Sequence, residues 1–476
     1  MGEVKLRLGN KLILVSNREP YIHEKSRKGI MCKRAMGGLV STLDPVMQSY
    51  GGTWIAWGSG DADFEVTDSQ NRVQVPCENP RYMLKRVRLS EREISRYYYG
   101  FSNRVLWPIS HLFIEKAYFN SEYWRAYRRV NAKFAKVVLD EAASDDMIWV
   151  HDYHLSMVPR FIRDANEDAK IAFFWHIPWP PWEVFGSLPW RGEIIEGLLS
   201  SDLIGFHTQP YVKNFMECAE RLGASIDRRR GIVKLSDREV RVKAFPIGID
   251  HGQFASFSSS KNMGKKAKIL RRLLRAKYLI LGVDRLDYTK GIVNRLRAFG
   301  GFLEKYPEFI GKVVFVQITT PSRTRVEEYR KMKREIDEIV GRINGRFQKV
   351  DWIPIRYFYR SIPRERLLAY YLAADVALVT PLIDGMNLVA KEYITTKGDS
   401  GTLILSEFTG AAKELKEAIM VNPYDTEDII EALKKALKMS PAEKRQRFEA
   451  LKQKVKKHDI YWWSERFFGE WRKVYD

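Results

Sequence analysis

The sequence predicts an α/β protein made of two doubly wound, Rossmann-like domains. Three observations predict it. Apolar runs of strand length alternate with helical patterns along the chain, the βαβ grammar of a parallel sheet clothed by helices. That alternation starts afresh after Gly248. At 476 residues the chain is also too long for a single ordinary core. Two such domains facing each other would leave a deep cleft between the carboxyl ends of their sheets.

In the first half, residues 11–16, 147–151, 171–176, 203–207 and 242–247 read as strands, with helices over 123–142 and 210–221. Residues 258–268, rich in Ser and Lys, read as a polar connection near the boundary. The second strand set is 279–283, 312–319, 350–352, 376–380 and 402–405, with an amphipathic helix over 292–306. Near the C-terminus, Ser440-Pro441-Ala442-Glu443 has the form of a capping box with proline at the first helical position. Residues 460–475 are helical and dense in aromatics, which favours core packing. The expected division is 1–248, 249–458 and a final helix, 459–476.

Composition narrows the function. Hydrophobic residues make up 45% and aromatics 13%, so burial is not limiting and wholesale disorder is not expected. No apolar run reaches the roughly 18 residues a membrane helix needs, and the N-terminus lacks a signal-peptide core. Cys32, Cys77 and Cys218 are odd in number and far apart. They are expected to form neither a disulfide framework nor a metal cluster, which suits a reducing cytoplasm. Formal net charge is +21, which steers anionic ligands toward the chain. The cations are scattered among acids without a nucleic-acid motif, so a nucleic-acid partner is not expected. The wealth of charge, 29% of residues, points to a thermophilic source.

Four segments carry candidate chemistry. Asp384-Gly385-Met386-Asn387-Leu388-Val389 lies between a strand and a helix. Backbone N–H groups at such a helix start suit a phosphate, and Glu392, in the second turn, is placed to accept hydrogen bonds from sugar hydroxyls. Asp284-Arg285-Leu286-Asp287-Tyr288-Thr289-Lys290-Gly291 also follows a strand. Arg285 and Lys290 bracket its turn and can converge on one pyrophosphate, although the same residues suit an ordinary exposed turn. His151, Asp152, His154 and His176 follow strands of the first half in spacing that does not support a closed metal site. His176, before Ile-Pro, is placed to bond a sugar hydroxyl; His151 and His154 equally suit buried imidazoles bonded to carbonyls. Finally, Ser16-Asn17-Arg18 ends the first strand, and Met36-Gly37-Gly38 lets backbone approach a phosphate or simply turns. Asp61-Ala62-Asp63 matches a D-x-D metal motif but is set aside as a chance match in a polar loop. No glycosidase carboxylate pair, P-loop or nucleophile elbow is present.

Together these motifs resemble glycosyltransferase family 20, the trehalose-6-phosphate synthase family. The resemblance spans nearly the whole chain, through LILVSNR, AMGGL, GTWIAWGS, YYYGFSNRVLWP, DDMIWVHDYHL, FFWHIPWP, SDLIGFHT, FPIGID, RLDYTKG, PSR, GRINGRF, LVTPLIDGMNLVAKEY and IMVNPYD. It implies a GT-B fold whose final helix crosses back to the first domain. It further implies retaining transfer of glucose from a nucleotide donor, usually UDP-glucose, to glucose 6-phosphate, without a metal or other cofactor. The product would be α,α-trehalose 6-phosphate.

Carried over by motif, the donor site is Gly38, His176, Arg285, Lys290, Asp384, Glu392 and the backbone of Gly385–Val389. The acceptor site is Arg18, Trp57, Tyr98, Trp107, Asp152 and Arg323, with Arg18 and Arg323 on the phosphate. Arg285, Lys290, Asp152 and His176 carry catalysis. A homo-oligomer without nucleic-acid or membrane partners is expected. The Trp179-Pro180-Pro181-Trp182 segment and a long basic loop over 18–37 depart from the family pattern. They leave open the donor base (UDP, ADP or GDP) and another acceptor, as in a glucosylglycerol-phosphate synthase or a cyclitol-joining relative. A catalytically idle regulatory subunit is the third reading, opposed by the intact cations and carboxylates.

Overall fold

A computed structural model describes residues 11–35, 37–323, 326–398 and 400–475. The described residues up to Pro246, with those from Ile460 onward, form one compact unit; Ile247–Asp459 form a second. No helix among the described residues is long and apolar enough to cross a membrane.

The first unit is a ten-stranded sheet. In spatial order its strands are Ser225–Asp227, Ile232–Lys234, Glu239–Ala244, Leu203–Phe206, Lys170–Phe174, Met147–His151, Leu12–Arg18, Thr53–Trp57, Tyr82–Val87 and Arg72–Val75. Pairing is parallel from Glu239–Ala244 to Tyr82–Val87 and antiparallel at both ends. The central strands are buried along nearly their whole length, as near-continuous Val/Ile/Phe runs require in a sheet covered on both faces. Strand order reverses between Leu12–Arg18 and Met147–His151, so the loops beginning at Arg18 and His151 flank the switch point where α/β sheets bind ligands.

The aromatic C-terminal helix, Ile460–Arg472, belongs to this unit. Trp463, Phe467, Phe468 and Trp471 are fully buried, and Trp149 stacks on Trp463 and Phe467 at 5.3 and 4.8 Å. Trp463 Nε1 donates to the Phe245 carbonyl at 3.1 Å, so the one polar atom of that ring is satisfied.

The second unit is a six-stranded, wholly parallel sheet, ordered Ile355–Tyr359, Val313–Thr320, Tyr278–Arg285, Val376–Val379, Thr402–Ser406 and Ile419–Val421. Its order reverses between Tyr278–Arg285 and Val376–Val379. The two most informative sequence segments, 284–291 and 384–392, are the loops that leave those strands.

Several expectations are corrected. Residues 350–352 are a tight turn, with Val350 fully exposed, and the strand lies at Ile355–Tyr359, beyond Pro354. The polar connection at 258–268 is largely helix, in His251–Ser258 and Lys261–Leu274; Met263, Ala267 and Leu274 give the second a buried stripe at helical spacing. The basic 18–37 loop is mostly a hairpin, Tyr21–Ser26 paired with Gly29–Arg34. At Pro441–Lys457, Ser440 caps the Glu443 N–H, but the Glu443 carboxylate turns to Arg447, so the box is half formed. The cysteine reading is also overturned, because Cys32 and Cys77 are joined in a disulfide while Cys218 stays free and buried. His23 adjoins them, the three ligand atoms lying within 4.8 Å of one another. Arg86 donates to His23 Nδ1 at 2.8 Å, which puts a neutral imidazole's proton on Nε2, facing the sulfur. That suits a disulfide neighbour better than a metal ligand.

Candidate functional site

In the second unit, Arg285 is the last residue of its strand and is exposed. The chain then makes one turn of helix, Tyr288–Lys290, and passes Gly291 in the left-handed region at φ 63°. A Cβ at Gly291 would meet the Thr380 carbonyl at 2.3 Å, so only glycine lets the two strand-end loops lie this close. Lys290 Nζ sits 2.7 Å from Asp384 Oδ2, an ion pair linking the two predicted motifs directly. Asn387, itself at φ 71°, donates to the same Asp384 oxygen at 3.0 Å and caps Leu388–Lys397 by accepting from the Ala390 N–H. The carbonyls of Asp384 and Met386 accept from Gly410 and Ala411, which fixes the turn that carries Gly385.

Glu392 lies in the second turn of that helix, as the sequence predicts. Tyr371 donates to its carboxylate at 2.8 Å, and burial pushes the carboxyl above its ordinary range despite that bond and Arg364.

Sequence reasoning missed the residue that ties these loops together. Arg295 is fully buried. Its guanidinium donates to Asp284 at 2.6 Å, Gln317 at 3.1 Å, Thr380 at 3.0 Å and the Lys290 carbonyl at 3.1 Å. It therefore holds the ends of both central strands and the residue bearing the site's ammonium. The signal was present: Arg295 falls between Ile292 and Phe299 on the apolar stripe of Ile292–Lys305, where a charge must be paired to be buried. Arg323 has a buried side chain at φ 48° and pairs with Asp287 at 3.0 Å.

In the first unit, Arg18 lies over the rings of Trp57 and Tyr98 at 5.0 and 4.8 Å, a cation–π arrangement that aims a guanidinium and two aromatic faces at one place. Tyr98 stacks on His154 at 5.7 Å. Trp107 is buried and joins this group indirectly, through Tyr153, whose ring lies 3.9 Å from His154. Asp152, at φ 73°, accepts from the His176 N–H at 3.3 Å. The His176 and His151 rings face each other, with 2.9 Å between Nε2 and Nδ1. Burial lowers both well below the usual histidine range, and at His176 the neighbouring His151 and His207 lower it further, so the pair is neutral. Gly38 opens the helix Gly38–Tyr50; Met36 of the same motif lies outside the described residues. Asp63 of the D-x-D match is buried, 2.9 Å from Arg86, and accepts from the His23 N–H, while Asp61 accepts from the Lys25 N–H. Both carboxylates serve the fold of that loop.

The model of the family described as "Glycosyltransferase family 20" matches residues 10–473. The chain is similar to the trehalose-6-phosphate synthase of Mycolicibacterium vanbaalenii, 43% identical over 96% of this chain and 95% of the relative. It is 42% identical to the bifunctional trehalose-6-phosphate synthase/phosphatase of Thermoproteus tenax over 96% of this chain, and spans 63% of that longer relative. Among solved structures it resembles a UDP-forming α,α-trehalose-phosphate synthase of Burkholderia xenovorans in complex with glucose 6-phosphate. There the TM-score is 0.87 at 34% identity, covering 97% of this chain and 100% of that one. The two doubly wound units are thus those of a GT-B glycosyltransferase, and the chain belongs to glycosyltransferase family 20.

Proposed function

We propose that the chain transfers glucose from a nucleotide-glucose, UDP-glucose foremost, to glucose 6-phosphate, giving α,α-trehalose 6-phosphate and a nucleoside diphosphate. The observation that carries this reading is the pairing of Lys290 with Asp384 at the switch point of the second unit, with Arg285 at the end of the strand before one loop and Glu392 in the helix after the other. Arg285 and Lys290 hold the diphosphate, the loop from Gly385 to Val389 supplies backbone N–H groups, and Glu392 takes the ribose. Asp384, already within reach of Lys290, turns to the glucose hydroxyls. In the first unit His176 is neutral, and its Nδ1, the nitrogen not turned to His151, can donate to or accept from a sugar hydroxyl according to its tautomer. The likeness to a UDP-forming enzyme crystallised with glucose 6-phosphate supports the choice of both substrates.

The chemistry is front-face transfer. The bond from the anomeric carbon to the diphosphate oxygen breaks. The acceptor hydroxyl forms the new bond on the same face and gives its proton to the departing oxygen, so configuration is retained without a protein nucleophile. Charge builds on the diphosphate, where two fixed cations act without a divalent ion. Arg18 and Arg323 recognise the acceptor's phosphate, and Trp57, Tyr98, Trp107 and Asp152 shape the sugar pocket.

Arg323→Ala tests the acceptor half. A charge-assisted hydrogen bond contributes about 1.5–3 kcal/mol, so the glucose 6-phosphate KM should rise at least tenfold. UDP affinity by calorimetry should change far less, and free glucose should be a very poor acceptor for the wild type. Equal use of glucose and glucose 6-phosphate by the wild type would refute the phosphate requirement.

A further inference from the structure

Asp287 lies between the two cations of the donor loop, is fully buried, and divides its two carboxylate oxygens between different partners. Oδ1 accepts from the Thr289 N–H at 3.0 Å and the Thr289 hydroxyl at 2.9 Å, which sets the single helical turn that presents Lys290. Oδ2 accepts from Arg323 Nη1 at 3.0 Å and from the Tyr329 hydroxyl at 3.2 Å. Arg323 Nη1 also donates to that tyrosine oxygen, so Arg323, Tyr329 and Asp287 close a triangle of hydrogen bonds. Burial opposes ionisation of Asp287, but Arg323, Arg285 and Lys290 outweigh it and hold the carboxyl below its ordinary range. Arg323 sits at φ 48°, a left-handed conformation that a side chain of its size keeps only when its surroundings hold it.

We infer that Asp287 is a positioning residue coupling acceptor-phosphate recognition at Arg323 to the placement of the Arg285–Lys290 loop. This rests on the assignment of Arg323 to the acceptor phosphate. One buried carboxylate holds an oxygen to each side, so a shift of Arg323 toward a phosphate is felt at Thr289 and, through that turn, at Lys290. The acceptor's phosphate then contributes to more than its own binding. It helps set the cation that meets the leaving group.

The test compares wild type, Asp287→Asn, Arg323→Ala and the double variant, with UDP-glucose as donor and either glucose 6-phosphate or glucose as acceptor. In Asp287→Asn, preference for glucose 6-phosphate over glucose should fall at least tenfold, with kcat on the phosphorylated acceptor falling as well as KM rising. Adding Asp287→Asn to Arg323→Ala should cost less than about threefold further, since residues acting through one another are not additive. A merely structural role lowers turnover of both acceptors by one factor and leaves the preference unchanged; that result, or a double variant worse by the full product of the single effects, overturns the proposal. If Asp287→Asn does not fold, Tyr329→Phe decides. It keeps the carboxylate and should move acceptor preference the same way by a few-fold, whereas unchanged preference overturns the coupling. A wild type that uses both acceptors equally would instead overturn the acceptor reading, and this inference with it.

Discussion

Arg285→Ala and Lys290→Ala are each expected to lower kcat by roughly a hundredfold, about 3 kcal/mol of lost transition-state stabilisation. Both cations stand at the switch point, one ending a central strand and the other ending the single helical turn before the next helix. They gain most from the diphosphate as negative charge builds on it, so their loss should appear in kcat more than in donor KM. The fold should survive. Arg285 is exposed, and loss of the Lys290 ammonium leaves Asp384 bonded to Asn387. Steady-state rates beside circular dichroism of each variant check this; near-normal kcat in both would remove the loop from the chemistry.

Arg295→Met is expected to do the reverse and damage the fold first. It leaves Asp284 buried beside Gln317 without its cation, and breaking a buried pair from one side costs about 3–5 kcal/mol. For a unit of this size that amounts to roughly 10 °C in melting temperature. It also frees the Lys290 carbonyl and Thr380, so residual activity at low temperature should fall too. Replacing Asp284 by Leu in the same chain should recover part of the stability, because no unpaired charge then remains. Thermal unfolding followed by calorimetry reads both effects. A melting temperature within about 2 °C of wild type for Arg295→Met would mean that the network adds little to the stability of the second unit.

What could be read from the sequence, and what could not, follows from where the information sits. Strand 147–151 matches Met147–His151 residue for residue, because a continuous run bounded by Asp146 and Asp152 leaves little choice of ends. The strand-end loops were legible because glycine, acids and paired cations cluster there for reasons of backbone geometry and charge. Thr53–Trp57 escaped although it is as long as Met147–His151, and Tyr82–Val87 escaped because Lys85 and Arg86 interrupt its apolar run. Arg86 is buried only by virtue of Glu19 and Asp63, distant residues that no local pattern announces. The Cys32–Cys77 pairing is of the same kind, resting on a hairpin and a loop forty-five residues apart in sequence. In the site, the strand-end loops were legible, and the buried residues that hold those loops were not. Arg295, Asp287 and Tyr371 read locally as a helix charge, a turn acid and a core aromatic. Only their partners across the sheet give them a role.

Product analysis of donor and acceptor pairs, resolved by mass and by anomeric NMR couplings and run in excess EDTA, tests the central claim most directly. UDP, ADP and GDP derivatives of glucose should each be offered with glucose 6-phosphate and with glucose. The account predicts one disaccharide phosphate, α at both anomeric centres, formed from a nucleotide-glucose and glucose 6-phosphate and undiminished by chelation. A β linkage, dependence on one specific metal, or no product with glucose 6-phosphate from any donor would contradict it.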